Sequence, residues 1–232
     1  MNKKFLLVLL PLLVVSASCD GFKAIDPSAL PTEFGETLIR GITVSALSDE
    51  SGREEMSLSS ITAYTNAIHS TAEEEGQSAV SWVYKENGNL CTYEKVNDLV
   101  EYEEEPDPSG VGFDQLFGFA LLLVNLSYVS AIAEYEGLVN QLKGGEEVYD
   151  NVSVQAKKNT YRFTVSGSNI DDDDVTFEYK ATLDFEFNDE NHLLGNSLVA
   201  KAIYPNRTIN QSYGVEFNHG TPAAYTGTFP AH

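Results

Sequence analysis

Residues 175–187 read Val-Thr-Phe-Glu-Tyr-Lys-Ala-Thr-Leu-Asp-Phe-Glu-Phe. Every odd position is apolar and every even one is polar or charged. A period of two over thirteen residues fits only an extended strand with one buried and one wet face. At about 3.3 Å per residue that strand is about 43 Å long, which calls for a large, strongly twisted or curled sheet. The pattern points Phe177, Tyr179, Leu183 and Phe185 inward, and Glu178, Lys180 and Asp184 toward water.

Shorter runs of the same style flank it. Residues 152–156 and 161–165 lie upstream, and 197–204 and 212–217 downstream, each separated by turn residues. Together they predict an antiparallel meander. The N-terminal half repeats the pattern at 79–86 and 90–96 around Asn87-Gly88, a favoured two-residue hairpin turn, and again at 99–105. Residues 42–47 fit one more strand. Met56, Leu58, Ile61, Tyr64 and Ile68 recur at nearly helical spacing, so 54–72 is predicted to be a short helix.

The two halves are joined by residues 113–145, which carry no charge from Leu116 to Ala133. Eighteen such residues reach the length of a membrane span. The flanking Asp114 and Glu134 are not basic, and Asn125, Ser127 and Ser130 interrupt the apolar surface. Both sheet halves also need a common compartment. The expectation is therefore a core helix buried on nearly all sides and capped at Gly144-Gly145. The fold class that follows is α+β: a large curled antiparallel sheet packed around one long apolar helix and a shorter one.

The first residues place the chain. Lys3 and Lys4, an apolar run from Phe5 to Val15, and Ser16, Ala17 and Ser18 have the three-part form of a signal peptide. Cys19 follows at once. Ala17, Ser18 and Cys19 resemble the bacterial lipobox, although Ser16 stands where that motif usually has Leu. The resemblance implies that Cys19 is acylated and becomes the mature N-terminus on the extracytoplasmic face of a bacterial membrane. Two or three acyl chains hold a protein there firmly. A plain secreted chain whose Cys19 pairs with Cys91 is the alternative. With Cys19 acylated, Cys91 has no partner and reads as a small buried strand residue. The expected organisation is a signal peptide over 1–18, a Pro- and Gly-bearing tether over 19–36 and a single domain over 37–232.

Composition then excludes partners. Without Lys3 and Lys4 the chain has 12 basic against 35 acidic side chains, moving the charge from -21 to -23. Such a chain does not hold nucleic acid by neutralising phosphates, and it repels anionic headgroups, leaving the tethering to the anchor. His69, His192, His219 and His232 are scattered without zinc-ligand spacing. The run Asp171 to Asp174 lacks the spacing of a calcium loop and reads as a solvated turn. Gly195-Asn-Ser197 begins a nucleophile elbow but lacks its last glycine. No enzyme, cofactor or metal is expected. Of four Asn-x-Ser/Thr sequons, Asn125 falls inside the apolar helix, where a glycan does not fit.

In element order and composition, residues 40–218 resemble the LolA/LppX-like lipid carriers and lipoproteins, in which an incomplete barrel cups helices around an apolar cavity. The resemblance implies a monomeric, membrane-anchored, non-enzymatic protein binding an apolar or amphiphilic ligand between sheet and helix. A filled core would instead mean an envelope structural or adhesion protein, and converging polar groups in a cleft a secreted enzyme.

Overall fold

In the computed structural model, which describes residues 21–50, 53–172 and 174–230, the alternating segment is a strand of one twelve-stranded antiparallel sheet. The strands are β1 (Lys23–Ala24), β2 (Ile39–Glu50), β3 (Arg53–Tyr64), β4 (Ala67–Glu74), β5 (Gln77–Glu86), β6 (Asn89–Val96) and β7 (Leu99–Pro106). Helix α1 (Val111–Leu142) follows. After it come β8 (Asn151–Lys157), β9 (Thr160–Ile170), β10 (Thr176–Phe187), β11 (Leu193–Ile203) and β12 (Thr208–His219).

The spatial order is β1-β8-β9-β10-β11-β12-β2-β3-β4-β5-β6-β7. Two meanders are welded into one open sheet where β12 pairs with β2, Val215 facing Val44. The chain therefore leaves at one edge, β7, and must re-enter beside the other, at β8. Ten inter-strand steps of about 4.8 Å make that distance about 48 Å. A 32-residue helix at about 1.5 Å per residue is about 48 Å long. One helix thus carries the chain back across the sheet, touching β5, β4, β3 and β2 and then β11 and β8.

The alternation of β10 is realised: Ala181, Leu183, Phe185 and Phe187 are buried against the helix side, with Tyr179 half-buried. Phe177, expected inward, is half-buried outside that cluster and stacks on Tyr204. Asp184 does not face water as the alternation predicts. Its side chain is only 14 % exposed and forms a two-pronged pair with Arg162 of β9, with bonds of 2.8 and 2.6 Å. The two residues stand opposite each other in the register.

The helix expected over 54–72 does not form; the only other helical segment among the described residues is a 3-10 turn, Pro27–Ala29. Residues 53–74 are the hairpin β3–β4. Its apolar residues fall on both faces of β3, with Met56 and Leu58 exposed on one and Ile61 and Ala63 packed on the other. Two faces of a strand imitate helical spacing there. The Ser- and Thr-rich composition of 57–65 favours the strand.

Both ends of α1 are built from local chemistry. The Asp107 carboxylate accepts from Phe113 N–H at 3.1 Å at the start of the helix. Those backbone donors hold its carboxyl below the usual range. At the other end Gly144 adopts φ 84°, Gly145 N–H bonds Asn140 O and Gly144 N–H bonds Gln141 O, a Schellman cap. Between them Asn125 donates to Ile39 O at 3.0 Å and accepts from Ile39 N–H at 3.3 Å. That pins the helix to the start of β2 and leaves the amide no room for a glycan.

The expected tether is docked from Phe22 onward. β1 pairs with β8, the Phe22 ring lies 4.0 Å from the Arg162 guanidinium, Leu30 is buried, and Phe34 packs on Phe187 and Tyr135.

Candidate functional site

Helix α1 is not buried on nearly all sides. Phe113, Ala120, Val124, Ala131, Tyr135 and Leu138 form one face turned to the sheet. Leu116, Phe119, Leu122, Leu123, Leu126 and Val129 are 42–60 % exposed. A ridge of that kind is unusual on a protein surface and marks a place where apolar matter is met. A membrane span would put β7 and β8 on opposite sides of a bilayer. They belong instead to one continuous sheet, and the helix contacts it from Phe113 to Val139.

The two flanks of the helix differ. On one, the Tyr128 ring stands edge-on to Phe217 and its hydroxyl accepts from Leu193 N–H, so a large side chain bridges from helix to sheet. On the other, Leu123, Ser127, Ser130 and Glu134 follow one another at helical i, i+4, i+7, i+11 spacing. Ser127, Ser130 and Ala131 are too short to reach across. A cleft of about 550 Å³ remains, floored by Ile42 and Val44 of β2, Tyr213 and Val215 of β12 and Asn196 of β11. That volume is within the range of about 300–1,000 Å³ typical of ligand sites. The cleft is continuous with the exposed ridge through Leu123 and Leu126, which belong to both.

Its polar groups gather on Glu134. Burial pushes the Glu134 carboxyl above the usual carboxylate range. The Tyr213 hydroxyl is pushed up first by burial and then by the Glu134 charge; the Asn196 amide beside it opposes the shift. Tyr149, between α1 and β8, is raised in the same way. No Lys, Arg or His lines the cleft, and among the described residues no basic side chain pairs with Glu134. Asn196 is only 6 % exposed, and its Oδ1 has no hydrogen-bond partner among the described residues.

The residues singled out from sequence lie elsewhere. Cys19 is outside the described residues. Cys91 is buried and unpaired, packed with Ala67 and Tyr84 on the opposite face of the sheet. Asp171 accepts from Val175 N–H at 2.8 Å and shapes the turn before β10; Asp173 is outside the described residues. His192 and His219, far apart in sequence, stack with rings 5.7 Å apart. His219 Nε2 donates to Leu193 O and its Nδ1 accepts from Thr37 Oγ1, so both nitrogens are used within the fold. Among the described residues no three of His, Cys, Asp or Glu gather as a metal site. Ser127 and Ser130 were legible only as interruptions of an apolar run, and Asn196 and Tyr213 carried no local signal. The sequence matches no family model, and no curated protein or solved structure matches the chain.

Proposed function

We propose that the chain is a lipid-anchored extracytoplasmic binding protein that takes the apolar part of an amphiphile into the cleft between α1 and the sheet. The observation that carries this reading is the unfilled cleft and its continuity with an exposed apolar ridge. A structural protein has no reason to keep either. Burying apolar groups is worth about 0.8 kcal/mol per methylene, so a short alkyl chain laid between Val44, Val215 and Leu126 gains enough to bind. Anchored through Cys19, three residues before Phe22 in the sequence, the domain stays near the membrane with the ridge within reach of it. The resemblance to the LolA/LppX-like carriers in element order and composition over residues 40–218 is in keeping with this reading.

The test uses protein lacking residues 1–20, with native mass spectrometry for co-purified lipid and displacement of an anilinonaphthalene dye by dodecanol. Binding is expected in the parent and lost in Ser130→Trp, whose indole fills the cleft from an exposed position. A parent that carries no lipid and binds no dodecanol overturns the reading and favours the envelope structural protein. The anchor is tested separately: Cys19→Ser in the full chain is expected to move the protein out of the detergent phase.

A further inference from the structure

We infer that the ligand's polar end is a hydrogen-bond-donating cation, an ammonium group carried on an apolar chain. The inference rests on the cleft being a binding site and adds what the cleft selects. A polar group enclosed in protein must find its complement, and the groups enclosed here include two acceptors in want of a donor, the Glu134 carboxylate and Asn196 Oδ1, beside the Tyr213 hydroxyl. Glu134 offers two carboxylate oxygens with no cation set against them among the described residues. Asn196 Oδ1 is buried and unpartnered on the floor of the same cleft. Its residue is more than nine-tenths buried, so solvent does not satisfy it. Ser127 and Ser130, on the helical ridge that carries Glu134, complete the polar end; the Ser127 hydroxyl already donates to Leu123 O at 3.1 Å.

Such a set matches a group with several donors and no lone pair to spare. An ammonium has three N–H bonds, enough for Glu134, Asn196 and one serine. A carboxylate or phosphate headgroup brings only acceptors and a like charge. It would meet Glu134 at close range in a partly desolvated space, where repulsion is strong. A hydroxyl supplies one donor and leaves the Glu134 charge uncompensated. The protein's overall acidity attracts every cation alike, but that attraction is screened by salt and does not depend on any one residue.

The experiment compares dodecylamine, dodecanol and dodecanoate, all below their aggregation limits, at neutral pH and high salt. Protein lacking residues 1–20 is used, and binding is read by calorimetry. The amine is expected to bind about tenfold or more tightly than the acid, with the alcohol between them. In Glu134→Gln the amine is expected to lose its advantage over both the acid and the alcohol. Glu134→Lys is expected to reverse the order of amine and acid, which keeps the test decisive if either variant folds poorly. Equal binding of amine and acid overturns the inference, as does a preference that survives Glu134→Gln; dodecanol binding then leaves the cleft itself standing as a site. Failure of all three to bind overturns both readings at once.

Discussion

Tyr135 shows how one side chain can be well packed and still pay a penalty. Its ring is fully buried and meets Phe34, Phe163, Phe185 and Phe187 edge-on at 5.1–5.7 Å, the favoured aromatic geometry. Its hydroxyl has no partner among the described residues, and burial drives it far above its ordinary pKa. An enclosed hydroxyl without a hydrogen bond costs about 1–3 kcal/mol. Tyr135→Phe is therefore expected to leave stability unchanged or to raise it by up to about 2 kcal/mol in denaturant unfolding. Tyr135→Ala is expected to lower it by about 3–5 kcal/mol. Glu134 presents the charged version of the same problem. Its folded pKa lies above the unfolded one because burial disfavours the anion. The folded state then holds its proton more tightly, so the penalty is present above the folded pKa and disappears as pH falls below the unfolded value. The groups that feel its charge are Tyr213 on β12 and Tyr149 before β8, both neutral throughout this window. Glu134→Gln is expected to raise the melting temperature at pH 7–8 in the absence of ligand. That gain should vanish by about pH 4, where the parent is protonated as well. A gain that persists unchanged to acid pH would mean that the carboxylate is not the source.

At the level of elements, the sequence was most readable where the signal was local and least where it depended on a neighbour. β10 could be read because period-two alternation states both its conformation and its buried face. The same pattern could not show that Asp184 meets Arg162, since that pair depends on the register of β9 against β10. Helix α1 was visible as a helix, but its exposure was not. An apolar run states that water is unwelcome, not what replaces it, and only the sheet's position shows Leu122 outside and Val124 inside. The short helix over 54–72 failed because apolar residues on two faces of β3 imitate a helical stripe. The site was half-written in the helical spacing of Leu123, Ser127, Ser130 and Glu134. Its other half comes from strands 60–90 residues away in sequence. The distinction between the two helix faces is measurable. Leu122→Ser is expected to change unfolding free energy by less than about 0.5 kcal/mol while reducing dye binding by the ridge. Leu183→Ala, opposite the inner face of the helix, is expected to cost about 2–5 kcal/mol. A large loss for Leu122→Ser would show that the outer face of the helix is covered.

The molecule as a whole covers its sheet twice, by different means. The helix-side face is covered by α1. On the other face, β4–β6 present Ala67, Trp82, Tyr84 and Cys91, and the chain that follows β12 returns to cover them. Thr65 N–H bonds Ala223 O at 3.1 Å, and the Asn66 side chain pairs with both the N–H and the C=O of Tyr225. Tyr225 then packs on Trp82 with centroids 4.7 Å apart, and Phe229 stacks on Tyr84 at 4.1 Å. This explains how β4 and β5 can be apolar on both faces, with Ile68 and Val83 facing Phe113 on the side of the helix. The C-terminal segment is thus part of the core rather than a tail, and Trp82, the chain's single tryptophan, lies between His69 of its own sheet and Tyr225, so its emission is sensitive to that contact. Protein ending at Gly220 loses two aromatic side chains from the cluster, each worth about 1.5–3 kcal/mol of burial. Its Trp82 emission is expected to shift to the red, its stability to fall by several kcal/mol, and its exposed aromatic face to drive self-association. The cleft lies across the sheet and shares no residue with this cluster, so dodecanol binding by the fraction that stays folded and monomeric is expected to match the parent. Unchanged emission and stability would mean that Tyr225 and Phe229 do not hold the outer face closed. Lost dodecanol binding in a folded, truncated protein would mean that the two faces of the sheet are coupled.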